Sequence, residues 1–307
     1  MNPIHKRRPK GTIVSPGRTG RRSLKLSSIK VRRALASDKE PILEICKDIW
    51  NGQDYVPQVW DEWLNDNRGC LVVATVGGTQ VGVAHAYLQT RDVAWLEGVR
   101  VHEKYRGLGI AGELNSVLTR WAFERGARVA HLCTGSSNIA SRRHLAKTGF
   151  ELLQSFQRLD STKALRNRLS DFANPKRPVR GLWRWLSSSP EFADSRAMYS
   201  DGWTFYPFTA RQFGSWFARR RVLLSRHRPP SSCAVCLNDD GTLTVGFVMG
   251  EPDDMIGLGR MLRYLLFRGK YRKVRVLLPA KSRLVRALER AGFERTAKIL
   301  VYERLLR

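Results

Sequence analysis

The stretch "YRGLGIAGEL", Tyr105 to Leu114, sets a cation and two glycines directly before residues that read as a helix start. That spacing, Arg106-x-x-Gly109-x-Ala111, suits the capture of an anion. Where a turn opens a helix, backbone N–H groups converge on one point and the helix dipole adds positive potential there. Gly107 and Gly109 let this backbone approach a phosphate closely, because neither carries a Cβ. A dinucleotide fingerprint would need Gly-x-Gly-x-x-Gly inside a parallel βαβ unit, and a Walker loop would need Gly-Lys-Ser/Thr. Neither is present, so the spacing points to a pyrophosphate held in another context. Upstream, Glu97 is a lone charge in the apolar run "WLEGV". Such a carboxylate either works on a substrate or sits on the open face of a sheet.

Hydrophobic patterning supplies the elements that must position these residues. "IKVRRALASDKEPILEIC" predicts a strand, a turn at Ser37-Asp38 and a helix from about Lys39, with Ser37 as its N-cap. "GCLVVATVGGTQVGVAHAYLQ" predicts two strands joined at Gly77-Gly78, and "VAWLEGVRVH" a further strand. The anion-binding turn follows, then a helix from about Ala111 to Arg125 and a strand at "ARVAHLCTG". A short helix at "NIASRRHLAKTG" and a last strand at "FELLQSFQRL" complete the order βα-βββ-αβ-αβ. Antiparallel hairpins ahead of a strand-turn-helix crossover make this an α/β fold with a sheet of mixed direction.

The chain has 307 residues, enough for two domains, and no run of eighteen apolar residues that could span a membrane. Its five scattered cysteines suit a reducing, cytoplasmic setting rather than a disulfide framework. Cys233 and Cys236 form a single C-x-x-C in a strand-like run, so no metal site is expected. The net charge of +27 divides unevenly, with +10 in residues 1–40, zero in 41–160 and +17 in 161–307. The excess fits either contact with a polyanion, such as nucleic acid or a ribosome, or an arginine-rich solvated surface. Residues 1–30 read as a disordered basic tail without the apolar segment of a secretory signal. Their composition also leaves a mitochondrial presequence open.

With "VRVHEKYRGLGIAGEL", Asn138 and "AKTGFELL" in this order, residues 31–160 resemble the acetyl-CoA-binding core of the GNAT superfamily of N-acetyltransferases. The resemblance implies a gap where the fourth strand ("WLEGVRV") splays from the fifth ("RVAHLCT"), with acetyl-CoA lying in it. Val99 and Val101 would pair with the pantetheine arm through their backbone. Arg106, Gly107, Leu108, Gly109, Ile110, Ala111 and Gly112 would hold the pyrophosphate. Asn138 would reach the arm from the far side, and Arg142 or Arg143 a phosphate. Glu97 would be the base that deprotonates the attacking amine. His102, just beyond that strand, reads as a surface turn residue. The tyrosine that usually protonates the departing thiolate falls on Leu145, with His144 about 100° round the helix, so the general acid is open. "NGQDYVPQVWDEWL" with "LEGVRVH" further resembles the branch that includes the histidine N-acetyltransferase-like proteins. This resemblance implies a small amine such as an amino acid as acceptor, with Asp54 and Tyr55 as substrate contacts.

After a connector at 161–200, anchored by Trp183 and Trp185, residues 201–307 read as a second, degenerate module of the same kind. "ALERAGFERT" matches "HLAKTGFELL" in position. The turn "DDMIGLGRM" keeps Gly257 and Gly259 but sets Asp253 and Asp254 where phosphates would lie, so this module is expected to bind no CoA. Arg283, Arg286 and Arg290 share one helical face, read as solvated. Three functions fit the sequence. The preferred one is acetylation of a small amine, with the second module closing the acceptor pocket. The others are a protein or peptide acetyltransferase docked on a polyanion, and a non-catalytic acetyl-CoA- or nucleic-acid-binding module.

Overall fold

The computed structural model describes residues 29–166, 172–175, 180–227, 229–239, 241–269 and 271–307. The basic tail therefore lies outside the described residues, apart from 29 and 30. The first half runs β1 (Ile29–Arg33), α1 (Lys39–Cys46), α2 (Val56–Asn65), β2 (Gly69–Val76), β3 (Thr79–Leu88), β4 (Val93–Val101), α3 (Ile110–Glu124), β5 (Val129–Gly135), α4 (Ile139–Lys147) and β6 (Glu151–Ser161). The expected order holds, with α2 as an addition. This helix buries Val56, Trp60 and Trp63, a stripe at helical spacing. Ser37 is not the cap of α1. It lies in a 3-10 turn, and Asp38 closes the entry instead by accepting from the Leu35 amide at 2.8 Å.

The second half contains β7 (Phe172–Ala173), α5 (Leu182–Ser187), α6 (Pro190–Asp194), β8 (Met198–Ser200), β9 (Phe205–Pro207), α7 (Ala210–Ala218), β10 (Val222–Ser225), β11 (Cys233–Asp239), β12 (Thr242–Met249), α8 (Pro252–Phe267), β13 (Lys273–Pro279), α9 (Leu284–Arg290) and β14 (Glu294–Leu305). Among the described residues the strands form one twelve-stranded sheet, β1-β2-β3-β4-β5-β14-β6-β13-β12-β11-β10-β7, with β8 and β9 apart as a hairpin. The β4–β5 and β12–β13 pairs are parallel and the other neighbours antiparallel, the mixed sheet that the sequence implies. The two halves interlock. Strand β14, from the second half, pairs with β5 of the first, and β6 of the first pairs with β13 of the second. Neither half completes its sheet alone.

Strand β2 is buried along its whole length because both of its faces are covered. Leu71 and Val73 pack with Ile42, Trp60 and Trp63 under α1 and α2, while Val72 and Ala74 pack with Leu114 and Leu118 of α3. The β8–β9 hairpin lies over the middle of the sheet, where Met198 and Phe205 join Trp95, Phe156 and Leu277 in one core. Cys233 and Cys236 belong to two different cores, on opposite faces of β11, which rules out joint chelation.

Candidate active site

Strands β4 and β5 pair only at Val93–Val129, Ala94–Ala130 and Trp95–His131. Beyond these residues they part, and the glycine turn at 106–112 lies past the far end of β4. Gly107 and Gly109 have φ of +82° and +83°, a backbone region that favours glycine, and Gly109 is the N-cap of α3. A Cβ on Gly107 would meet nothing within 4 Å, so this side of the turn is open. The Gly112 amide is bonded to the Gly109 carbonyl at 2.8 Å. The amides before it, from Gly107 to Ala111, are those left over for a ligand. Gly112 instead packs beside His144, with 3.6 Å between its Cβ position and the imidazole Cε1.

Other residues of the expected cofactor site carry internal bonds. Arg106 Nε donates to the Val101 carbonyl at 3.2 Å, and Arg100 Nη1 to the Val99 carbonyl at 3.1 Å. Each carbonyl keeps a second lone pair. Asn138 caps α4, its Oδ1 accepting from the Ser141 amide at 3.0 Å, and Arg142 donates to the Ser136 carbonyl at 3.1 Å. Leu145, where a tyrosine was expected, is buried in the core beneath α3. His144 Nε2 lies 3.2 Å from Asn115 Nδ2, and burial lowers its pKa, which favours the neutral imidazole. His102 accepts from the Lys104 amide in the turn after β4, a turn residue as expected.

Glu97 stands two residues beyond the last β4–β5 pair. The β3–β4 register shifts here, with Glu97 opposite His85 and Arg100 opposite Val83, so Gly98 is the extra residue of a bulge with φ +67°. The bulge resets the alternation, and Arg100 rather than Val99 shares the face of Glu97. His85 Nδ1 lies 3.1 Å from Glu97 Oε1. The His85 ring stacks on Trp63 at 4.4 Å, and Trp63 itself covers Gly98. Sequence reasoning missed both His85 and Trp63. The signal available was a histidine inside the buried run "VGVAHAYL", where an imidazole needs a partner.

Asp54 is 2% exposed, and both of its oxygens are taken by Arg100, each bond 2.7 Å long. Burial would raise its pKa, but the guanidinium outweighs this and holds the carboxyl below its ordinary value. Asp54 therefore ties the loop after α1 to β4, and its burial turns it towards Arg100 and the Val56 amide rather than towards open space. Tyr55 remains beside the site. It lies under the Arg100 guanidinium at 5.3 Å and edge-on to Trp63 at 5.9 Å.

The β8–β9 hairpin supplies the opposite wall. Tyr206 and Tyr87 bring their hydroxyls within 3.4 Å, Gln89 donates to the Phe205 carbonyl at 3.0 Å, and Cys133 of β5 donates to the Trp203 carbonyl at 2.9 Å. Burial pushes the Tyr87 phenol up to about 12, and the negative charge of Glu97 acts in the same direction. Desolvation raises the half-buried Cys133 thiol too, so it is a poor nucleophile.

In the second half, β12 carries a bulge at Gly246 between the Val245–Cys236 and Phe247–Val235 pairs. Val245 directly precedes this bulge, as Glu97 precedes Gly98 in the first half, but it is still paired with Val276 of β13. At the start of α8, Asp254 accepts from Ser231 at 2.6 Å and Ser232 at 2.5 Å. Arg283, Arg286 and Arg290 are exposed, and Arg283 reaches Glu251 at 3.3 Å. No helix among the described residues is long and apolar enough to cross a membrane.

Residues 36–150 match the family model described as "Acetyltransferase (GNAT) family". A histidine N-acetyltransferase from Xenopus tropicalis is 31% identical over 150 residues, covering 46% of this chain and 45% of that protein. Another, from Oreochromis niloticus, is 27% identical over 93 residues, 30% of this chain and 28% of its own. The chain thus spans less than half the length of these curated relatives. The structure of a GCN5-related N-acetyltransferase from Sphaerobacter thermophilus superposes with a TM-score of 0.64 at 15% identity, covering 91% of this chain and 96% of that one. At this identity the likeness shows the fold, and it extends over both halves.

Proposed function

We propose that the chain is an acetyltransferase of the GNAT kind, a reading supported by the match of residues 36–150 to that family's model, and that it transfers an acetyl group from acetyl-CoA to the primary amine of a small molecule, an amino acid being the favoured class. The observation that carries the reading is the position of Glu97, just past the point where β4 and β5 part, with an open, glycine-lined helix start beyond the end of the same strand. The gap and the turn fit acetyl-CoA. The amides of Gly107 to Ala111 would hold the pyrophosphate. The backbone of Val99 and Val101 would meet the pantetheine arm, and Asn138 and Arg142 would flank it. Acetyl-CoA supplies the activated acyl carbonyl, and the protein supplies alignment and one base. An ammonium acceptor must lose a proton before its nitrogen can attack, and Glu97 takes it directly or through one water.

The departing thiolate finds no tyrosine on α4, where Leu145 is buried in the core, so its proton comes from solvent or from a group of the second half, if it takes one at all. The second half closes the acceptor pocket through Tyr206 and the main chain of Trp203, and Tyr55 lines the other side. As a degenerate module it binds no CoA of its own, since Asp254, with Ser231 and Ser232 bonded to it, sets a negative charge at the helix start where a pyrophosphate would lie. The likeness to histidine N-acetyltransferases supports a free amino acid over a protein acceptor. The test is CoA release from acetyl-CoA against free amino acids, polyamines and short peptides. Turnover confined to peptides, or absent throughout, would contradict the reading.

A further inference from the structure

We infer that His85 is the positioning residue for Glu97, fixing one carboxylate oxygen so that the other is presented to the acceptor nitrogen. This rests on the proposed acetyltransferase reading. Glu97 pairs with His85 at the edge of a bulge, has no partner on the β5 side and is followed by a residue with left-handed backbone, so the ladder holds it from one side only. Among the described residues, the contact from His85 Nδ1 to Oε1 at 3.1 Å is the hydrogen bond that its carboxylate makes. A carboxylate only accepts, so Nδ1 carries the proton while Glu97 is ionised.

His85 is itself held on every side. It is 2% exposed, lies parallel to Trp63 within 10°, and has Tyr87 stacked at 5.9 Å. Trp63 cannot withdraw without uncovering Gly98, whose Cβ position lies 2.6 Å from the indole. The far edge of the imidazole points at Gly69. A Cβ there would lie 2.7 Å from Nε2 and 3.0 Å from Asp66 Oδ2, so the ring fits only because residue 69 has no side chain. Nε2 is buried without a hydrogen-bond partner. The polar cost of burying this ring is met at Nδ1 alone, which is what a group kept for its contact with Glu97 would show. The charged and titratable groups around the ring are Glu97 from β4, Asp66 ahead of β2 and Tyr87 from β3. A misplacement of about 1 Å in a reacting group costs roughly a hundredfold in rate, so a lever of this kind matters.

The experiment compares the full-length wild type with H85N, H85Q, H85F, E97Q and H85F/E97Q. Turnover is measured on the best acceptor from the amine panel, and acetyl-CoA affinity serves as the control for folding. Asparagine places an amide N–H near the position of Nδ1, whereas glutamine reaches towards Nε2. The expected result is a fall in kcat of roughly 30- to 100-fold for H85F and H85Q, with acetyl-CoA affinity unchanged. H85N should retain activity within about fivefold of wild type, because its N–H still meets Glu97. In the E97Q background, H85F should cost nothing further, since the two act as one unit. Equal losses in all three His85 variants, or an H85F penalty that persists in E97Q, would overturn the inference while leaving the function intact. A wild type that acetylates no amine would instead refute the function, and the positioning role with it.

Discussion

Replacing Gly98 with alanine tests whether the bulge and its tryptophan lid build the site. Gly98 has φ +67°, and an alanine forced into that left-handed region costs about 1–2 kcal/mol. Its Cβ would also lie 2.6 Å from Trp63 Cη2 and 2.7 Å from Cζ3. Trp63 is 7% exposed and stacked on His85, so it cannot swing into solvent, and overpacking of this kind costs about 1–3 kcal/mol. Together the variant should lose about 2–5 kcal/mol of stability. Urea unfolding followed by circular dichroism would read this directly. The two contributions separate in a double-mutant cycle. Trp63→Leu removes the clash, so it should cost clearly less in the Gly98→Ala background than in the wild type. Gly98→Ala within about 0.5 kcal/mol of wild type, or a Trp63→Leu penalty that is the same in both backgrounds, would refute the reasoning.

Other consequences can be checked separately. Burial works to raise the Asp38 carboxyl, but Arg32, Gln80 and the Leu35 amide outweigh it and hold it at about 2. A depressed carboxyl stabilises the fold above its unfolded value near 4, and this contribution disappears as pH falls towards 2. Asp38→Asn should therefore flatten the acid limb of an unfolding-against-pH curve by at most about 2 kcal/mol, Arg32 being 40% exposed and screened. Gly107→Ala meets no neighbour, so the free turn should relax out of its left-handed conformation, and acetyl-CoA must restore it at a cost of about 1–2 kcal/mol; calorimetry should show roughly tenfold weaker binding with little change in the overall fold. Titration of acetyl-CoA should saturate at one equivalent per chain, because the second half sets Asp254 where a pyrophosphate-binding helix start would be open.

The glycine turn that opens α3 was legible because its signal is local. Two glycines, an arginine and a following helix need no distant partner to be read. The splay beside Glu97 could be expected only through the resemblance, since an apolar run says nothing about where a parallel neighbour departs. Asp54 illustrates the limit of reading a polar residue as a contact. In sequence it looks free, and in the fold Arg100, 46 residues later, takes both of its oxygens. His85 escaped for the same reason, as its partner lies on the next strand across a register shift. The pairing of β14 with β5 was beyond any local pattern. It joins Val129 to Leu305, and hydrophobic alternation cannot choose between two similar last strands. Ser37 was displaced as a cap because Asp38 finds three partners at once.

The central claim is that Glu97 is the base of an amine acetyltransferase, and one measurement addresses it most directly. CoA release and the mass of the acetylated product would be followed for wild type and Glu97→Gln on the same free amino acid, with acetyl-CoA affinity determined in parallel. The account predicts product from the wild type and a fall in kcat of about a hundredfold or more in the variant, within the range usual for a general base, while acetyl-CoA affinity stays unchanged. Equal turnover by the two proteins would contradict it.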